Sequence, residues 1–198
     1  ANQLEYGVKT NLLSDRLYAT LSVYDIKVSD RVYPDPTNPN NSVQGGKVGS
    51  KGFELDMNAT PITGLNLIAG YSYNETKVLE GNGGDFYSQP GRNPGGQGPQ
   101  HLANFWATYK FMSGKIKNLG VGLGGNYAGK YKVIDNSATG VFDLPSYTLL
   151  NASLFYSIEN YRITFNMNNI TNEEYYIGYW SINPQRPRNF AMSFAYKF

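Results

Sequence analysis

The chain has 198 residues, a formal charge of +2, a single histidine and no cysteine. Disulfides, zinc thiolates and cysteine nucleophiles are excluded, and so small a charge without a Lys/Arg cluster gives nucleic acid no electrostatic support. Seventeen Tyr, ten Phe and 22 Gly argue against a helical protein, and no window reaches the ~18 continuous apolar residues of a membrane-spanning helix.

The chain opens ANQLEYG, without an initiator Met or an apolar leader, which reads as a processed product or a fragment. Strands are predicted over 3–13 and 16–28, joined by the short link SDR. A long Pro/Asn-rich stretch, 29–47, precedes a strand over 48–60, in which Phe53, Leu55, Met57 and Ala59 oppose Glu54, Asp56, Asn58 and Thr60. PITG leads to a strand over 64–78, and the Gly-rich stretch 79–101 to one over 102–113, with Ala103, Phe105, Ala107, Tyr109 and Phe111 on one side. After SGKIK comes a strand over 118–132. Its Leu119, Val121, Leu123, Tyr127 and Tyr131 oppose Gly120, Gly122, Gly124, Asn126 and Lys130. The stretch 133–145 precedes strands over 146–158 and 160–170, where Tyr161, Ile163, Phe165 and Met167 oppose Arg162, Thr164, Asn166 and Asn168. After 171–188, the last strand, 189–198, sets Phe190, Met192, Phe194, Tyr196 and Phe198 against Ala191, Ser193, Ala195 and Lys197.

Alternation of this kind marks strands with one apolar and one polar face. The nine connected strands have links that alternate short and long, which sorts tight turns to one end and long loops to the other. That pattern, with polar residues that need a wet interior and Tyr/Phe near strand ends for interfacial girdles, predicts an all-β transmembrane antiparallel barrel in an outer membrane. A soluble β-sandwich binding module, the competing reading, has no reason to sort its loops by length. Bacterial single-chain barrels have even strand numbers. Nine strands that finish on the inner side therefore imply a start at an outer loop, part-way through a larger barrel.

Five stretches resemble the C-terminal part of a TonB-dependent siderophore receptor. They are EYGVKTNLLSDRLYATLSVYDI, VGSKGFELDMNATPITGLNLIAGYSYNETKV, GPQHLANFWATYKF, LPSYTLLNASLFYSIENYRITFNMNNITNEEYY and PQRPRNFAMSFAYKF. The resemblance implies a 22-stranded barrel of which residues 1–198 form the last nine strands, with the plug domain and earlier strands outside this chain. It implies a ferric siderophore as transported ligand and no intrinsic cofactor. Coupling to the TonB–ExbB–ExbD complex would run through the plug, and the setting would be outer-membrane lipid. It also implies that the barrel assembly machinery reads Phe190, Phe194, Tyr196 and Phe198 as an insertion signal. Related receptors for a corrinoid, haem or a glycan remain the alternative, followed by a passive porin or a barrel phospholipase.

Ferric siderophores are large, oxygen-rich chelates, which the resemblance places at the outer mouth on aromatic and basic side chains. The loop GDFYSQPGRN offers Phe86, Tyr87 and Arg92. The last loop offers Tyr179, Trp180 and Arg186, with Tyr175 and Tyr176 assigned to the outer girdle. Rings supply contact area with a polar edge, and Arg pairs with anionic oxygens. GVGLGG matches a dinucleotide pattern without the helix such a site needs. The Asp/Asn run in DRVYPDPTNPNNS lacks the ordered carboxylates of a calcium loop. His101 alone makes neither a catalytic triad nor a transition-metal site, so no enzyme and no metal centre are expected.

Overall fold

The computed structural model describes every residue except Pro39, Phe86, Tyr179 and Trp180. Nine strands form one antiparallel sheet in the order β1-β2-β3-β4-β5-β6-β9-β10-β13. They are β1 (Asn2–Leu12), β2 (Leu17–Pro34), β3 (Ser42–Ala59), β4 (Leu65–Glu80), β5 (His101–Lys110), β6 (Leu119–Ala128), β9 (Tyr147–Ile158), β10 (Tyr161–Asn168) and β13 (Asn189–Tyr196). Each predicted strand has its counterpart, and each pairs with its neighbour in sequence among the nine. Two small hairpins stand apart, β7 (Tyr131–Asn136) with β8 (Gly140–Leu144), and β11 (Tyr176–Gly178) with β12 (Ile182–Pro184).

The registers join the alternating residues into two continuous faces. One row runs across all nine strands as Leu12, Leu17, Ala59, Leu67, Ala107, Leu123, Ala152, Met167 and Phe190. Rows on the other face include Lys9, Thr20, Asp56, Gly70, Asn104 and Asn126, and Asn66, Thr108, Gly122, Ser153, Asn166 and Ala191. Large apolar side chains stay uncovered along the first face, from Tyr6 and Val8 through Phe105 and Leu123 to Met192 at 73% exposure. So broad an apolar band far exceeds the patches of a few hundred Å² that soluble monomers expose, and it is what lipid covers. In β4 the band runs from Leu65 to Tyr73. At ~3.3 Å per residue and a tilt near 40°, that is roughly 20 Å of membrane height.

Three details differ from the sequence reading. First, β2 and β3 run beyond the predicted ends at residues 28 and 48, leaving only 35–41 as the tip. A bulge shifts register between Val28 and Arg31, with Asp30 at φ 59, and hides the continued pairing by breaking period two. Second, the predicted strand 118–132 stops at Ala128, and Tyr131 leaves the lipid face to become a buried residue of β7. Third, the polar face carries large rings, and the glycines of GVGLGG make room for two of them. A Cβ on Gly120 would lie 2.2 Å from the Phe155 ring, and one on Gly124 would lie 2.5 Å from Trp106. Arg162 covers the same Phe155 ring at 4.3 Å. Those glycines are seats for aromatic side chains rather than a nucleotide loop.

Candidate functional site: the outer loops

All four long connections lie at one end of the sheet, and buried polar groups stitch them together. The centre of that stitching is Asp135 on β7, whose side chain is 5% exposed. Arg92 donates to its Oδ1 at 2.9 Å, while the Asn93 backbone N–H and Lys132 Nζ each donate to Oδ2 at 3.1 Å. Burial pushes this carboxyl up, but those three donors outweigh it and hold its pKa below the ordinary value near 3.8. Gln89, 5% exposed, donates to the Gly83 carbonyl at 2.9 Å and accepts from Ser137 N–H at 2.8 Å. The returning loop also lengthens β4, since Gly91 and Val78 N–H groups donate to the Val78 and Arg92 carbonyls at 2.8 and 2.9 Å.

The last loop is tied on in the same way. The Tyr131 hydroxyl donates to the Gly178 carbonyl at 3.2 Å and accepts from its N–H at 3.1 Å. Asn169, 3% exposed, brackets the Glu173 backbone at 2.8 and 2.9 Å. The Tyr175 ring packs 4.5 Å from Tyr147 at the top of β9. Asn82 ties the β4–β5 loop to the β2–β3 hairpin by donating to the Pro34 carbonyl at 3.0 Å.

The sequence-predicted contact residues fall as follows. Tyr87 is half-buried and lines a rim cavity of about 140 Å³ with Arg31, Tyr33, Lys47, Glu80 and Asp85. Arg92 is 34% exposed and engaged by Asp135. Arg186 is exposed on the last loop, and its carbonyl lies 3.5 Å from Asn169 Nδ2. Phe86, Tyr179 and Trp180 lie outside the described residues. Ligand pockets for drug-sized molecules run to about 300–1,000 Å³, so the rim cavity of about 140 Å³ is too small to enclose such a ligand by itself. Sequence reasoning missed Asp135, Gln89 and Asn169, because burial, not residue type, distinguishes them from ordinary loop polars.

The signals set aside earlier have plain structural roles. His101 opens β5 on the outer face, with Nδ1 2.7 Å from the Tyr71 hydroxyl and its ring 5.0 Å from that of Tyr73. Asp35 accepts from Thr37 N–H and Oγ1 at 2.8 and 2.7 Å, closing the tip of the β2–β3 hairpin. Among the described residues no three His, Asp or Glu side chains converge to hold a metal ion.

A family model described as "TonB dependent receptor-like, beta-barrel" matches residues 1–170. The chain belongs to this family. Its relatives include the metal-pseudopaline receptor CntO of Pseudomonas aeruginosa, 28% identical over 98% of this chain and 27% of that protein. The ferric-pyoverdine receptor PbuA of Pseudomonas sp. M114 is 30% identical over 96% of this chain and 23% of its own length. FpvA of P. aeruginosa, solved with heterologous pyoverdines, superposes with a TM-score of 0.78 at 25% identity, over 99% of this chain and 27% of FpvA. The chain thus spans about a quarter of the curated relatives it matches. These relatives are transport receptors, not enzymes. As part of a TonB-dependent receptor barrel, the apolar face meets outer-membrane lipid and the polar face the barrel interior.

Proposed function

We propose that the chain is the C-terminal part of the barrel domain of a TonB-dependent receptor that imports a ferric siderophore across the outer membrane. The carrying observation is the mouth. Four outer loops are tied together, the β4–β5 loop to the β6–β9 connection by Asp135 and Gln89, the last loop by Tyr131 on Gly178 and the β2–β3 hairpin by Asn82 on Pro34, above a wall whose inner face is polar. Loops tied in this way present aromatic and basic side chains without losing them to loop disorder on binding. Relatives named for ferric chelates support the ligand class. Contacts would come from Phe86, Tyr87, Arg92, Tyr179, Trp180 and Arg186. Asp135 takes one of the five N–H donors of Arg92, leaving others for a chelate oxygen.

The two edge strands, β1 and β13, present unpaired backbone on one side each, which lipid does not tolerate. Further strands of the same barrel complete them, and the polar inner face surrounds a plug. TonB–ExbB–ExbD acts through that plug, and the barrel assembly machinery engages Phe190, Phe194, Tyr196 and Phe198. No step here requires an intrinsic cofactor or a catalytic residue. The test is a fluorescence titration of the full-length receptor with ferric siderophores, with Trp180→Phe as control. Saturable quenching that the control loses places the last loop at the ligand. Quenching that survives keeps the function and moves the site, and a response only to a corrinoid, haem or a glycan refutes the siderophore reading.

A further inference from the structure

The charges of the outer loops balance, and most of the cations are already held by carboxylates of the same chain. Across the connections 29–47, 79–101, 129–146 and 171–188, seven Lys and Arg stand against eight Asp and Glu. Lys47 pairs with Glu80 at 3.3 Å, Arg92 and Lys132 share Asp135 at 2.9 and 3.1 Å, and Lys130 pairs with Asp143 at 2.8 Å. Among the described residues, that leaves three arginines, Arg31, Arg186 and Arg188, against five carboxylates outside any ion pair. The loops therefore carry donors and rings without a positive field to gather anions.

The rim cavity repeats this balance at close range. Arg31 and Lys47 line it together with Glu80 and Asp85. Buried Val48 and Val78 add apolar lining, as does the Tyr33 ring, which lies 3.0 Å from where a Cβ of Gly46 would sit. Asp85 decides the character of the cavity. It is half-buried, and its Oδ2 accepts the Tyr87 backbone N–H at 3.2 Å. Among the described residues, no Lys or Arg lies within 4.0 Å of its carboxylate. A half-buried carboxylate without a cation, beside the space a ligand enters, repels an anionic ligand and tolerates a neutral one. Arg92 offers donors to the same ligand, but Asp135 cancels its charge from 2.9 Å away.

Ferric chelates differ in just this property. A hydroxamate carries a single negative charge, so three of them cancel the charge of ferric iron. A catecholate carries twice that, and the tris-catecholate complex stays strongly anionic. We infer that this wall of the mouth selects a ferric tris-hydroxamate, neutral or carrying a pendant ammonium group, over tris-catecholates, with Asp85 as a specificity-determining residue. The inference rests on the siderophore reading and narrows it. Recognition then runs through ring contacts and hydrogen bonds to the oxygens of the chelate. Long-range attraction contributes little.

The experiment titrates the full-length receptor in detergent with a panel of ferric tris-hydroxamates and ferric tris-catecholates, at about 0.05 and 0.5 M NaCl, a range over which exposed charges become screened. At the lower salt the tightest hydroxamate should bind at least about tenfold more tightly than the tightest catecholate. Its Kd should move less than about twofold with salt, whereas catecholate binding should strengthen as repulsion is screened. Asp85→Asn, whose amide oxygen can still accept from the Tyr87 N–H, should shift the affinity ratio at least about threefold toward catecholates. If that variant does not assemble, the salt series on wild type decides. A catecholate bound as tightly as any hydroxamate, or catecholate binding that weakens steeply with salt, overturns the inference and leaves the siderophore reading standing. If no ferric chelate binds, both fall.

Discussion

Replacing Asp135 by alanine isolates the chemistry that fixes the mouth. The carboxylate is buried, and its three donors are unequal once it is gone. Arg92 and Lys132, with side chains 34% and 43% exposed, turn to water, so each costs only about 0–1 kcal/mol. The Asn93 N–H, half-buried against β7, loses its acceptor at a cost of about 1–3 kcal/mol. Together the β4–β5 loop is destabilised by about 2–3 kcal/mol, while the sheet, whose ladders do not involve Asp135, is unchanged. Hydrogen exchange on the full-length receptor reads this directly: amides of residues 89–93 should exchange roughly 30- to 150-fold faster, since ~1.4 kcal/mol is tenfold. The pH dependence has a definite sign. A carboxyl whose pKa lies below its ordinary value stabilises the loop above that ordinary value, near 3.8, and loses the contribution as pH falls through the lowered one. Protection at residues 89–93 should therefore persist at pH 5 and fade only below about pH 4. Unchanged exchange in Asp135→Ala, or loss of protection already at pH 6, would refute this account of the mouth.

Other consequences follow from the two faces. Phe165→Arg, near the middle of β10 on the lipid side, should lower receptor stability by about 2–4 kcal/mol in a denaturant titration from lipid vesicles, whereas Asn166→Arg beside it should cost far less. Gly120→Leu would drive a side chain into the Phe155 ring, costing about 1–3 kcal/mol as overpacking. Pairing it with Phe155→Ala should return most of that loss, measured as the thermal midpoint. Deleting Phe198, which is fully exposed beyond β13 and packs edge-on against Tyr196 at 5.0 Å, should reduce the heat-modifiable, assembled fraction in outer membranes without changing synthesis.

The nine barrel strands were legible because a wall between lipid and water enforces period two on every strand, and chemistry alone distinguishes the faces. Legibility failed wherever another constraint replaced that one. At Ser29 and Asp30 a bulge shifted the phase, so the upper part of the β2–β3 hairpin resembled a loop. At Tyr131 an aromatic residue continued the β6 rhythm by coincidence, yet it is buried in a separate hairpin with its hydroxyl on Gly178. Phe155 and Trp106 showed that the inner face tolerates rings where glycines on β6 give them room. At the mouth, residue types announced aromatic and basic chemistry, but nothing in the sequence told Arg92 that its partner lay 43 residues away on β7. Long-range pairing of buried polar groups is invisible without coordinates.

The function proposed for the receptor is import of a ferric siderophore. Its most direct test is uptake of radioiron chelates by iron-starved cells that differ only in the full-length receptor. At least one ferric siderophore should enter only when the receptor is present, and uptake should stop when the proton-motive force is collapsed. Iron uptake that ignores the receptor for every chelate offered, or receptor-dependent entry that survives collapse of the proton-motive force, would contradict it.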